Sequence, residues 1–166
     1  VMREANQLGC RILDELEKAV APGVKTMFFE EIARECCREM KVRPAFLGYM
    51  GYPFALCCSV NEEVVHGFPS ERILKEGDIV SFDMGVVFEG FYSDSARTVA
   101  VGEISPEARR LLDVTRASLE AGIAAVQPGK FLKDVSAAVQ QVAESAGFSV
   151  VRRFVGHGIG RNMHEK

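Results

Sequence analysis

Apolar positions along the first forty residues recur at helical spacing. Leu8, Ile12, Leu16 and Val20 mark one stripe that stops at Pro22-Gly23, and Phe29, Ile32, Ala33, Cys36 and Met40 mark a second over about 26–40. Together they predict a helical hairpin. From Phe46 to Val101 the texture changes to short β-rich runs broken at Gly51-Tyr52-Pro53, Gly67-Phe68-Pro69, Glu76-Gly77-Asp78 and Glu89-Gly90, which predicts a sheet region. Ser105-Pro106 then offers an N-cap followed by proline at the first helical position, and that helix is expected to run to about Gln127. Pro128-Gly129 breaks it, a further helix spans about 132–146 up to Gly147, and 148–155 reads as a strand.

The two halves of the pattern match. Ala19-Val20-Ala21-Pro22-Gly23 aligns with Ala125-Val126-Gln127-Pro128-Gly129 at an offset of 106, and the flanking helices coincide. A first pseudo-repeat is therefore expected over about 8–101 and a partial second over about 105–166, all within a single domain. At that offset Lys166 corresponds to residue 60, ahead of the first copy's best hairpin. The expectation is a fragment of a longer protein, cut behind Lys166 and, because Val1 enters a helix already under way, in front as well.

Composition narrows the class. The 166 residues are 48% hydrophobic and 26% charged with a net charge of −3, which describes an ordinary globular domain and not a disordered or coiled-coil chain. Charges of both signs are interspersed, so nucleic acid or anionic lipid has no basic footprint to grip. No stretch approaches the ~18 apolar residues that span a bilayer. Five cysteines, with adjacent pairs Cys36-Cys37 and Cys57-Cys58, suit neither a disulfide framework nor a CxxC clamp. They are expected to be small buried hydrophobes in a reducing compartment, so the reading is of a cytoplasmic protein without a membrane partner.

Ser81 to Thr98 reads as a hairpin with Glu89-Gly90 at its turn. With Phe88 opposite Phe91, Asp83 faces Ala96 and Asp94 faces Gly85, so the two aspartates are diagonal neighbours on one sheet face. The hairpin alone also fits two solvent-facing aspartates. The histidines shift that balance, because His157 and His164 sit in the glycine-rich segment Gly156 to His164 and His66 precedes Gly67, so all three sit at loops where backbone can approach a ligand. Carboxylates with one or two imidazoles form a ligand set for Mn, Fe, Co or Zn. HExxH, a P-loop and a G-x-S-x-G elbow are all missing. Water activated by a metal is the chemistry these residues favour.

Cys58 to Pro69, Leu74 to Val80, the hairpin from Asp83 to Asp94, and Gly156 to Arg161 with His164-Glu165 closely resemble the bacterial type I methionine aminopeptidases, over essentially the whole chain. The resemblance implies an α+β pita-bread (creatinase/aminopeptidase) fold, with the first half complete and the second truncated. It implies removal of N-terminal methionine from peptides and nascent proteins, by attack of a metal-bridged hydroxide on the first peptide bond. Asp83 would ligate one of two divalent ions (Co, Mn, Fe or Zn), Asp94 would bridge both, and His157 would bind the other. Two further glutamate ligands are expected beyond Lys166, so the 166 residues alone are expected to be inactive. His66 matches the histidine near the substrate's amino end, and His164 the one that bonds the scissile carbonyl. Tyr49, Tyr52, Cys57, Phe46 and Met163 would line the methionine pocket, with His66 and His164 at its reacting end. Phe46 and Met163 depart from the usual pattern, Met163 standing where phenylalanine is common, and bear on pocket shape. The implied partners are N-terminal methionines and the ribosome, with a monomeric full-length enzyme. An Xaa-Pro aminopeptidase or prolidase-like hydrolase is the nearest alternative, and a non-catalytic pita-bread peptide-binding module is the other.

Overall fold

The protein is described from a computed structural model that covers residues 1–166. Two compact units divide it, one of residues 1–104 with 157–166, the other of residues 105–156.

In the first unit, α1 (Met2–Lys18) and α2 (Thr26–Glu39) form the expected hairpin. Ile12, Leu13 and Leu16 of α1 and Phe29, Ala33 and Cys37 of α2 are buried against the sheet, so the helical stripes read from the sequence are the packed faces. Phe29 meets Phe82 with ring centroids 4.7 Å apart, a tilted aromatic contact that fastens α2 to the sheet beneath. Arg97 ties the sheet to α1 through Asp14 at 2.8 Å and Glu17 at 2.6 Å.

The strands are β1 (Arg43–Pro44), β2 (Leu56–Val60), β3 (Ile79–Met84), β4 (Val86–Phe88), β5 (Phe91–Tyr92) and β6 (Ser95–Ala100), with a short 3-10 turn at Tyr49–Gly51. They make two antiparallel three-stranded sheets, ordered β1-β4-β5 and β2-β3-β6. Strand alternation sorts the second sheet. Leu56, Cys58 and Val60 of β2 pair with Met84, Phe82 and Val80 of β3, and all six face the helices. Cys57 pairs with Asp83, and Asp83 with Ala96, so that cross-strand row faces the other way.

The Ser81–Thr98 segment keeps the predicted register, with Phe88 opposite Phe91 and Asp83 opposite Ala96. Glu89 and Gly90 both take positive φ at the turn, as a type I′ hairpin requires. It is not one continuous ladder, however. The chain changes sheets at Gly85 and at Ser93-Asp94, so the expected pairing of Asp94 with Gly85 is replaced by a break. There the Ser93 hydroxyl accepts from the Val86 N–H at 3.1 Å. A Cβ on Gly85 would stand 2.4 Å from the Ser93 carbonyl oxygen and 3.0 Å from Phe46, so only glycine allows this crossing.

The second unit is a helix pair, α3 (Pro106–Ala125) and α4 (Leu132–Ser145). Ser105 caps α3 as expected, accepting from the Ala108 N–H at 3.1 Å. The two helices cross closely at Gly122, where a Cβ would meet Val139 at 2.8 Å. Like α2, α4 follows a glycine with positive φ, Gly129 in the one case and Gly23 in the other. The strand expected over 148–155 does not form. No neighbouring strand offers its backbone groups to this segment, and an extended run without a ladder is only a loop.

Candidate functional site

The strand alternation that buries Phe82 and Met84 presents Asp83 on the opposite face, beside Cys57. Asp94 arrives from the sheet break, held by Ser93, which is buried and bonded to Val86 through both its backbone N–H and its hydroxyl. Burial raises the Asp83 carboxyl well above the ordinary carboxylate range, and the adjacent Asp94 raises it further through its charge and a hydrogen bond. Two carboxyls in such a setting share a proton unless a cation replaces it.

His157 and His164 lie on a loop docked onto the hairpin. The Tyr92 N–H donates to the Gly160 carbonyl at 2.8 Å, and Arg161 lies over the Phe91 ring at 4.5 Å. Gly158 and Glu165 exchange both backbone bonds, at 2.9 and 2.7 Å, which closes the loop between the two histidines. The Glu165 carboxylate accepts from the Asn162 N–H at 2.9 Å and packs where any side chain on Gly160 would stand. Nδ1 of His157 meets the Gly158 carbonyl at 3.0 Å, and a carbonyl can only accept. The proton of the neutral ring therefore sits on Nδ1, leaving Nε2, 3.5 Å from Asp94, with a free lone pair. The His164 ring lies 4.3 Å from that of His157, and its Nδ1 is 2.8 Å from the Tyr49 hydroxyl.

Phe46, Cys57 and Met163 are buried together with Ala45, and Tyr49 and Tyr52 pack against them. The five residues named for a pocket thus form one apolar cluster separate from the main core. Burial pushes the Cys57 thiol up to about 11, opposed by its hydrogen bond with Tyr52, and burial likewise raises the Tyr52 phenol. Tyr52 donates to the carbonyls of Leu56 at 3.1 Å and Gly67 at 3.2 Å. His66 comes from a different segment, the exposed loop 61–69, with a positive φ of 60°. That loop is pinned at Gly67, whose carbonyl accepts from the Cys58 N–H at 2.9 Å. A groove of about 730 Å³ along α1, floored by Leu8, Met40 and Phe88, shares no residue with this site.

No three His, Cys, Asp or Glu side chains converge closely enough to form a metal cluster by themselves. The pairs Asp83–Asp94 and Asp94–His157 nonetheless fit a divalent cation. Oδ1 of Asp83 is buried with no hydrogen-bond partner, and an orphaned carboxylate oxygen beside a second carboxyl and an imidazole nitrogen is a cation's donor set. Sequence reasoning missed three supporting features: the Tyr49–His164 bond, the Ser93 anchor and a buried glutamate, Glu30. The first and last join segments far apart in the chain, and the Ser93 anchor depends on the sheet change inside the hairpin. A serine between Tyr92 and Asp94 and a glutamate on the apolar side of a helix were the only local signals.

The sequence matches the metallopeptidase family M24 over residues 1–166. It is 46% identical over 165 residues to the methionine aminopeptidase of Clostridium acetobutylicum, covering 99% of this chain and 66% of that protein. Methionine aminopeptidase 1 of Bacillus subtilis is 43% identical with the same coverage. The crystal structure of methionine aminopeptidase from Thermotoga maritima superposes with a TM-score of 0.97 at 45% identity, over 99% of this chain and 67% of that one. The chain spans 66% of the length of the two curated relatives.

Proposed function

Since the chain belongs to metallopeptidase family M24 and has its pita-bread fold, we propose that its protein removes N-terminal methionine from peptides and nascent chains. The observation that carries this reading is the juxtaposition of the Asp83–Asp94–His157 set with an aromatic and sulfur-lined slot. The 43–46% identity to methionine aminopeptidases supports it against the Xaa-Pro alternative.

Asp83, Asp94 and His157 would hold divalent cations, Co, Mn, Fe or Zn, with ligands outside these residues completing the set. When bound, such ions supply Lewis acidity and make hydroxide available at neutral pH. The protein's own residues do the rest. Tyr49 orients His164 so that Nε2, its free ring nitrogen, can donate to the carbonyl oxygen of the first peptide bond as charge builds there. His66, on the loop pinned by Gly67, attends the substrate's amino end. Tyr49, Tyr52, Cys57, Phe46 and Met163 accept the flexible, apolar methionine side chain and reject larger ones by size.

Nascent chains in the cytoplasm, at the ribosome, are the substrates this reading implies, met by a monomeric enzyme. Hydrolysis of Met-Ala-Ser and Ala-Pro-Pro by the metal-loaded, full-length protein tests it. Release of methionine with Ala-Pro-Pro left intact is expected, and preference for the proline peptide or cleavage of neither would overturn the proposal.

A further inference from the structure

Glu30 lies on α2 and is 4% exposed, on the face that also buries Phe29, Ala33 and Cys37. Its carboxylate collects the Ala55 N–H on both oxygens at 2.9 Å, the Leu56 N–H at 3.2 Å, and Nε of Arg34 at 2.5 Å. Burying a carboxylate is costly, and this one is compensated only because three donors converge on it. What it holds is the entry to β2. The chain bends between Tyr52 and Leu56, and the residues on either side of the clamped N–H groups belong to the apolar slot: Tyr52 before them, Cys57 directly after.

The network continues from the clamp. Leu56, whose N–H Glu30 accepts, offers its carbonyl to the Tyr52 hydroxyl at 3.1 Å, and that hydroxyl also reaches the Gly67 carbonyl at 3.2 Å, next to His66. Tyr52 packs against the apolar cluster that holds Cys57. A carboxylate outside the slot thus sets the backbone from which two slot residues and the histidine loop are hung.

We propose that Glu30 is a positioning residue for the substrate slot, holding Ala55 and Leu56 so that Tyr52 keeps its bonds to Leu56 and Gly67 and Cys57 keeps its place in the apolar cluster. The identity of the ligand as a methionine side chain rests on the functional reading above, whereas the clamp itself does not.

Glu30→Gln keeps the size but puts an NH2 where an acceptor is needed, so the donors from Arg34 and the backbone cannot all be met. In the full-length, metal-loaded protein, KM for Met-Ala-Ser is expected to rise about tenfold, with kcat within about twofold. In the metal-free protein, alkylation of Cys57 by iodoacetamide, followed by peptide mass spectrometry, is expected to speed up about tenfold as the slot loosens. Ile12→Ala, in the main core on α1, serves as a control for stability loss alone. It should lower the melting temperature and move neither readout. If the glutamine variant does not fold, Glu30→Asp, which keeps the charge on a shorter arm, should shift both readouts in the same direction by less. An unchanged KM, an unchanged Cys57 rate, or equal shifts from Ile12→Ala overturn the proposal. A parent protein that cleaves no methionine peptide sinks the functional reading instead, and the Cys57 rate then decides for or against Glu30 on its own.

Discussion

Replacing Gly67 by alanine probes how the His66 loop is held. The new Cβ would stand 2.4 Å from the Cys58 carbonyl oxygen and 2.9 Å from both Cα and Oγ of Ser59. Two of those atoms are backbone of β2, which is laddered to β3 and cannot swing aside, so the loop must retreat. Restoring ordinary contact takes a shift of about 1 Å. A shift of that size stretches the 2.9 Å bond from the Cys58 N–H to the Gly67 carbonyl beyond hydrogen-bonding range, and Cys58 is 1% exposed, so its donor is left unmatched. It also loosens the bonds of Gly67 to Ser59 Oγ at 3.0 Å and to the Tyr52 hydroxyl at 3.2 Å. Together these losses come to about 2–4 kcal/mol. For a chain of this size that lowers the melting temperature by about 5–15 °C, which circular dichroism during heating would measure. Gly67 does not have a left-handed φ, so alanine's backbone preference adds nothing and the whole effect comes from the contact. The full-length variant should also lose kcat/KM on methionine peptides, because misplacement by about 1 Å costs as much as 100-fold. A melting temperature within about 2 °C of the parent, with kcat/KM unchanged, would refute the argument.

Asp83 binds its proton more tightly folded than unfolded, so its contribution to the metal-free protein is full below the ordinary carboxylate range and is lost as pH rises through the raised folded value. Melting temperatures in EDTA should therefore fall across that window, and Asp83→Asn, which cannot ionise, should flatten the fall and abolish tight metal binding. A parent and variant with parallel pH profiles would contradict this. Tyr49→Phe removes the 2.8 Å bond to His164 and should lower kcat about tenfold in the full-length enzyme, and an unchanged kcat would show that the bond does not orient the ring. Among the thiols, exposed Cys10 should react quickly with a disulfide reagent in native protein, while Cys37 and Cys58, pushed up to about 12 by burial, and Cys57, pushed up to about 11, stay protected. Quantitative labelling would check this, and equal rates at all five positions would contradict the burial pattern.

What the amino-acid order determined by itself is whatever short-range physics governs. The helical stripes of α1 and α2 are periodic because each helix has one face to bury, and Ser105-Pro106 starts α3 because a capping hydroxyl and a preset φ act within one turn. Glu89-Gly90 admits a tight turn, and a tight turn sets the register, so Asp83 opposite Ala96 followed from the sequence alone. Segment 148–155 shows the limit: its residues suit a strand, but a strand exists only where another supplies a ladder. The sheet change at Gly85 and Ser93 was equally hidden, since it depends on Phe46 closing over Gly85, far along the chain. Glu30 reads in sequence as a polar position on a helix and becomes a buried clamp only when β2 docks against it. Tyr49 meets His164 across 115 positions of the chain. Tertiary structure alone decided these pairings, because a hydrogen bond between distant segments depends on how whole elements pack and leaves no trace in the local spacing of either partner.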